Sequence, residues 1–300
     1  MNIIHFDVDG ELKKHLKGDT RTESLQSIDS SEGVSKVDAI SIKTGSNADK
    51  STLSPFTNLK LLFTRTVGTD HVDLEYCKMR GIEVKNILDY GAFNIAEHVF
   101  ALLLTGTRNI LSTQDEIKKG TFSFRGHLGI ALKGKTLGVV GTGRIGLEVI
   151  KLAGAFGMKV IAYDVYKNDA AQKELKYEYV ELEELAKRSD IVTLHAPLLE
   201  STRHMINASI IEVMKEGVIL INTARGELID TEALIANIGK FRWVGLDVLE
   251  GEKAFSKDHP LIHQANVVIT PHLAFYSDES VKKIASETER LMNPFIKPII

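Results

Sequence analysis

The 300 residues include a single cysteine, Cys77, so no internal disulfide can form and the chain suits a reducing cytoplasm. That thiol lies in an amphipathic stretch, Val72 to Met79, which points to packing and away from nucleophilic chemistry. No charge of one sign dominates. The 37 Lys and Arg face 40 Asp and Glu, a net charge of −3, which argues against a nucleic-acid partner. No apolar run reaches the length of a membrane span. No internal repeat or low-complexity segment stands out. The opening Asn2-Ile3-Ile4-His5-Phe6-Asp7-Val8 reads as a first strand and not as a signal peptide. What is present is an ordinary globular composition, 43% hydrophobic and 26% charged, at a length that suits two domains.

Apolar runs alternate with helical patterns throughout, which predicts parallel sheets with helices on both faces. Strands of a first unit are expected at 2–8, 36–42, 60–64 and 82–86, with helices near 11–16 and 71–80. The polar segment 15–35 shows little period. Residues 94–110 form one very apolar helical pattern, which must be buried on most sides, between domains or subunits. Strands of a second unit are expected near 136–140, 159–163, 191–194, 217–221, 243–247 and 266–270.

The second unit opens on Leu137-Gly138-Val139-Val140-Gly141-Thr142-Gly143-Arg144-Ile145-Gly146. An apolar run enters a Gly-x-Gly-x-x-Gly turn, a helical pattern follows, and Asp164 ends the next apolar run. This is a dinucleotide-binding arrangement, and each part has a physical task. Gly141 allows the tight turn, Gly143 lets backbone approach a pyrophosphate, and Gly146 lets helix pack on strand. The helix N-terminus offers amides to the phosphates. Asp164 accepts from a ribose diol and repels a 2′-phosphate, which favours NAD. Lys167, just beyond, is of the kind that accommodates NADP.

Ligands of such sheets gather at strand C-terminal ends. Three expected strands run into Asn222-Thr223-Ala224-Arg225-Gly226, Asp247-Val248-Leu249-Glu250-Gly251-Glu252 and Thr270-Pro271-His272. A His, a carboxylate and a guanidinium suit oxidation of a hydroxy acid. The His takes the hydroxyl proton, the carboxylate orients it and stabilises its charged form, and the guanidinium binds the substrate carboxylate bidentately. Singly, each residue has a bland reading: His272 caps a helix, Glu250 and Glu252 are solvated loop charges, and Arg225 pairs with Glu227 or Asp230. Jointly, at successive strand ends, the bland readings lose.

These segments resemble the signatures of the D-isomer-specific 2-hydroxyacid dehydrogenases. So do Arg65-Thr66-Val67-Gly68-Thr69-Asp70-His71-Val72-Asp73 and Asn94-Ile95-Ala96-Glu97-His98. The resemblance implies an α/β chain of two domains: a Rossmann NAD-binding domain, 94–275, and a smaller flavodoxin-like substrate domain, 1–93 with 276–300. The chain would cross between them near Phe93 and Phe275. It implies that Arg225 binds the substrate, that His272 is the acid/base, and that its partner is Glu252, five residues past Asp247, and not Glu250. It places Asp247, Thr223 and Ala224 on the nicotinamide, and Arg144 and Ile145 on the pyrophosphate. His195, Ala196, Pro197 and Thr202 would line the adenosine side, with the Val67 and Gly68 amides on the substrate carboxylate. His272-Leu273-Ala274-Phe275-Tyr276 and Tyr90 resemble the D-lactate dehydrogenase branch. The expected activity is reversible hydride transfer between NADH and a 2-oxo acid such as pyruvate. The expected partners are a small 2-oxo or 2-hydroxy acid and a second copy of the chain, with no metal, no membrane and no nucleic acid. The rivals are an NAD(H)-sensing binding protein, the same chemistry on glycerate or glyoxylate, and a hydrolase of adenosyl thioethers.

Overall fold

A computed structural model describes residues 2–28 and 33–292. The chain divides into two compact units, one gathering the chain up to Gly91 with the segment from Tyr276 onward, the other Ala92–Phe275. The first boundary falls slightly before the expected Phe93, because Gly91, at φ +127°, makes the turn from which the next helix starts.

Unit 1 contains β1 (Asn2–His5), α1 (Gly10–Lys13), β2 (Asp19–Thr20), β3 (Val37–Ile42), α2 (Lys50–Leu53), β4 (Leu61–Thr64), α3 (Leu74–Arg80) and β5 (Glu83–Asn86). Its sheet is parallel in the order β2-β1-β3-β4-β5. All four β4 residues are buried, as expected of a strand covered on both faces. In the polar 15–35 segment, β2 pairs with β1 and Leu25 is buried, while residues 29–32 lie outside the described part. Cys77 packs into this core, and burial, with the Asp73 charge, pushes its thiol up.

Unit 2 contains α4 (Ala92–Thr107), α5 (Ile110–Lys118), β6 (Thr136–Val140), α6 (Arg144–Ala155), β7 (Lys159–Tyr163), α7 (Asp169–Leu175), β8 (Glu178–Tyr179), α8 (Leu182–Arg188) and β9 (Ile191–Leu194). It continues through α9 (Ala208–Val213), β10 (Val218–Asn222), α10 (Thr231–Ala236), β11 (Phe241–Leu246) and β12 (Val267–Ile269). The chain then returns to unit 1 as α11 (Asp278–Met292). There α11 holds the β1 and β5 loops: Ser280 donates to the Tyr90 carbonyl at 2.8 Å, and Glu289 accepts from the Lys17 amide at 2.7 Å.

The unit 2 sheet is parallel in the order β12-β11-β10-β9-β6-β7-β8. Its winding reverses between β6 and β9, where such sheets open a crevice. The apolar helix expected at 94–110 is a core helix of this unit. It ends at Thr107 and packs on β10, β11 and α6. A Cβ on Gly106 would stand 2.1 Å from the Trp243 ring, so only glycine lets α4 come this close, and Trp243 Nε1 donates to the Leu102 carbonyl at 3.1 Å. Among the described residues no helix is long and apolar enough to cross a membrane.

Candidate active site

The turn after β6 is built by absence. Gly141 adopts φ +97°, and a Cβ there would meet the His195 and Ala196 backbone at 2.7 and 2.8 Å. His195 and Ala196 thus lie directly against the turn. A Cβ on Gly146 would stand 2.0 Å from the Gly141 carbonyl, so the close approach of α6 is to the turn more than to the strand. Gly143 differs: nothing lies within 4 Å of a Cβ built there, and no side chain caps the α6 N-terminus that it begins. Two glycines admit protein and the third leaves open space, a cradle that fits a pyrophosphate. Asp164 follows β7, its Oδ2 accepting from the Thr142 amide at 2.6 Å and its Oδ1 from the Tyr166 amide at 2.9 Å. His195 bonds Thr193 Oγ1 at 3.0 Å, and burial pushes its basicity down, which suits a wall residue and not a base. Thr202 ties its own loop, donating to the Pro197 carbonyl at 2.7 Å.

Because β10, β11 and β12 are neighbours, their C-terminal loops stand side by side. After β10, the buried Asn222 folds the loop back, accepting from the Ala224 amide at 3.0 Å and donating to the Arg225 carbonyl at 2.7 Å. A Cβ on Gly226 would stand 2.0 Å from Leu249, so glycine brings Arg225 against the loop after β11. Arg225 Nη1 donates to the Ala224 carbonyl at 2.7 Å, and Thr223 Oγ1 is buried with no hydrogen-bond partner among the described residues.

His272 Nδ1 lies 2.7 Å from Glu252 Oε1. A carboxylate only accepts, so Nδ1 carries the hydrogen and Nε2 is left for other work. Glu250 turns elsewhere, to His204 Nε2 at 2.8 Å. Hydrogen bonds from His204 and Thr231 outweigh the effect of burial and hold its carboxyl below the usual range.

The Asp247 side chain is fully buried and turned to the His272 loop. Its carboxylate accepts from Thr270 Oγ1 at 2.5 Å and from the Leu273 and Ala274 amides at 2.9 Å each, and its carbonyl accepts from the His272 amide at 2.8 Å. Burial opposes its charge, yet bonds from His98, Thr270, Ala274 and Leu273 prevail and hold its carboxyl below the usual range. This clamp keeps His272 at φ +52°, a left-handed conformation that a non-glycine residue adopts at a cost of about 1–3 kcal/mol.

In unit 1, Val67 and Gly68 follow β4. Asn86 donates to the Val67 carbonyl at 2.7 Å and Thr66 to the Gly68 carbonyl at 2.6 Å, whereas neither amide donates to a described residue. Arg65, buried just before them, donates to the Ser41 hydroxyl and to the Phe6 and Asp7 carbonyls. Among the described residues no cluster of His, Cys, Asp or Glu is placed to hold a metal ion.

The family model described as D-isomer specific 2-hydroxyacid dehydrogenase, NAD binding domain, matches residues 100–274. The chain belongs to that family. It is 42% identical over 250 residues to an aromatic 2-oxoacid reductase of Clostridium sporogenes, covering 78% of this chain and 74% of the relative. It is 39% identical over 257 residues to a hydroxypyruvate reductase of Thermotoga maritima, covering 85% and 83%. A solved D-lactate dehydrogenase from Aquifex aeolicus, complexed with NAD and lactic acid, superposes with a TM-score of 0.89 at 39% identity, covering 98% of this chain and 95% of that one. This 2-hydroxyacid dehydrogenase is therefore an oxidoreductase of the CH–OH group with NAD as cofactor. Reading its sequence gave no individual role to Thr142, Tyr179, His98 or Thr270. Thr142 had a signal, an x position inside the glycine turn. His98 and Thr270 stand inside segments that carry the resemblance, whereas Tyr179 had no signal, because Thr142 lies 37 residues away.

Proposed function

We propose that this dehydrogenase reduces a 2-oxo acid to a D-2-hydroxy acid, reversibly, with pyruvate and D-lactate as its pair. The contact of His272 Nδ1 with Glu252, whose strand end lies between those of His272 and Arg225, carries the reading. The nicotinamide, when bound, supplies or takes the hydride. His272 Nε2 gives a proton to the substrate oxygen in reduction and removes it in oxidation, while Glu252 holds the ring and steadies its charged form. The Arg225 fork binds the substrate carboxylate and polarises the carbonyl. The Val67 and Gly68 amides form a second carboxylate nest, and Tyr90 touches the substrate side chain. Gly141, Gly143, Arg144, Ile145 and Gly146 take the pyrophosphate, Asp164 the ribose, His195, Ala196, Pro197 and Thr202 the adenosine side, and Thr223, Ala224 and Asp247 the nicotinamide.

The lactate preference is supported by the likeness to the Aquifex enzyme solved with lactic acid and by the Tyr90 and 272–276 segments. The relative that reduces aromatic 2-oxo acids favours a second reading, in which a larger side chain is accepted. NADH oxidation measured against pyruvate, 2-oxobutyrate, phenylpyruvate, hydroxypyruvate and glyoxylate separates them. The expected order puts pyruvate first. Phenylpyruvate first installs the second reading, hydroxypyruvate or glyoxylate first installs the glycerate-type alternative, and no turnover with any of the five overturns all three substrate readings.

A homodimer is part of the proposal. Ile110, Leu111 and Ile117 on α5 and Phe122, Phe124 and Leu128 after it are exposed apolar side chains, and Phe122 is 95% accessible. A second copy that matches this patch to its own would cover it. Light scattering on the wild type and on Phe122→Ser/Phe124→Ser tests this: a dimer that becomes a monomer is expected, and a monomeric wild type overturns it.

A further inference from the structure

The Tyr179 hydroxyl, on the edge strand β8, is a junction. Thr142 Oγ1 lies 2.8 Å from it, the Tyr177 hydroxyl 3.0 Å and the Asn168 amide nitrogen 3.0 Å. The Asp164 carboxylate sets the direction of every bond. It only accepts, so the Thr142 hydroxyl, 3.0 Å from Oδ2, donates to it. Thr142 oxygen then receives its hydrogen from Tyr179, and Tyr179 oxygen receives from Tyr177 and from the Asn168 amide. One relay thus runs Tyr177 to Tyr179 to Thr142 to Asp164, every hydrogen pointing toward the carboxylate.

The same side chain engages the neighbouring cation. Lys167 Nζ stands 5.9 Å from the Tyr179 ring centroid, within reach of a cation–π attraction. The segment between acid and base, Val165 and Tyr166, is exposed. It is anchored on one side where Tyr166 donates to Asp164, and on the other where Asn168 donates to Tyr179.

We propose that Tyr179 is a specificity-determining residue for NAD, acting through Thr142 on Asp164 and through its ring on Lys167. With the relay intact, a ribose 2′-hydroxyl meets a fixed acceptor and a 2′-phosphate meets a fixed like charge, while the adjacent lysine is held on the tyrosine face. This rests on Asp164 reading the ribose, and the experiment separates the two claims. NADH and NADPH dissociation constants are measured by fluorescence titration, and kcat with NADH at saturation, for the wild type and variants. Tyr179→Phe keeps the ring and loses the hydroxyl. It is expected to narrow the NADPH-to-NADH Kd ratio about tenfold, the worth of one hydrogen bond in a charged network, with kcat unchanged. Tyr179→Leu, which also frees Lys167, narrows the ratio further, and Lys167→Gln added to it reverses that extra gain. In an Asp164→Ala background, Tyr179→Phe has no further effect on the ratio. A Tyr179→Phe variant that weakens both cofactors by one factor overturns the proposal, since that is what a merely structural residue does. If Asp164→Ala itself leaves the ratio at the wild-type value, the assignment of Asp164 fails first and takes the relay with it.

Discussion

The two sheets reverse their winding at equivalent places and finish them in opposite ways. Unit 1 reverses between β1 and β3, unit 2 between β6 and β9, and topology opens a crevice at both. Beside β6 stand glycines and an uncapped helix N-terminus. Beside β1 the place is taken by side chains. The Arg65 guanidinium donates to the Ser41 hydroxyl and to the Phe6 and Asp7 carbonyls, tying the ends of β1 and β3. Ser41 in turn bonds His5 Nδ1 at 2.7 Å, and His5 Nε2 bonds the Lys17 carbonyl at 3.0 Å. A carbonyl only accepts, so Nε2 carries the hydrogen and Nδ1 accepts from Ser41. The difference teaches that a winding reversal offers a crevice and side-chain volume decides its use. Glycine leaves it open, and arginine closes it with protein hydrogen bonds.

If the unit 2 strand ends carry the chemistry, His272→Ala lowers kcat by roughly two to four orders of magnitude with NADH binding kept, the worth of a positioned general acid. Stopped-flow reduction of the best 2-oxo acid, with a parallel NADH titration, reads both quantities. A variant that keeps its kcat removes His272 from the site. Arg225→Lys comes next, because a point charge cannot replace a fork aimed at developing charge. A loss of roughly a hundredfold in kcat/KM is expected. Near wild-type turnover would make Arg225 a surface residue.

Glu252→Gln removes a charge-assisted bond to the imidazole, and a fall in kcat of about tenfold to a hundredfold follows. Glu250→Gln, which breaks the contact with His204 instead, leaves kcat near the wild type. The reverse pattern would reassign the acid.

The closed crevice answers to stability and not to cofactor. Arg65→Met strands buried acceptors and costs roughly 1–3 kcal/mol in urea unfolding, while the Kd for NADH stays put. A changed Kd with unchanged stability would erase the contrast between the two crevices. A further effect on stability is one of pH. Burial, and then the Arg65 charge, hold His5 down at about 4 in the folded chain, against an ordinary 6.5. Between those values the unfolded chain binds the extra proton. Stability therefore falls as pH drops from 6.5 toward 4, by about 1.4 kcal/mol per pH unit. His5→Gln should flatten that slope in melts between pH 4.5 and 7, and an unchanged slope would show that His5 is not the proton acceptor.

Much of this was legible in local sequence. The strand runs near 136–140, 159–163 and 191–194 match β6, β7 and β9, since apolar blocks between breakers report burial on both faces. The edge strands β2 and β8, two residues each, are too short to show a period. The apolar pattern at 94–110 announced a buried helix, but burial is a property of the residues and the burying neighbour is not; it is the sheet of its own unit. The hold on Asp247 escaped the sequence for a related reason. A carboxylate after a strand invites a ligand, and nothing nearby in sequence reveals that Leu273 and Ala274 turn their amides to it.

The chain by itself determined the alternation of strands and helices, the glycine turn, and the residue types at three strand ends. Those depend on backbone freedom and apolar period, which act over a few neighbours. Strand order is not encoded that way, and every decisive contact here depends on it. Placing β12, β11 and β10 side by side brought His272 to Glu252 and pressed Gly226 on Leu249. Placing β8 beside β7 brought Tyr179 to the acid at the end of β7 through Thr142. Only the tertiary structure could choose Glu252 over Glu250 by contact, because two carboxylates so close in sequence share their composition and differ only in the direction the loop gives them.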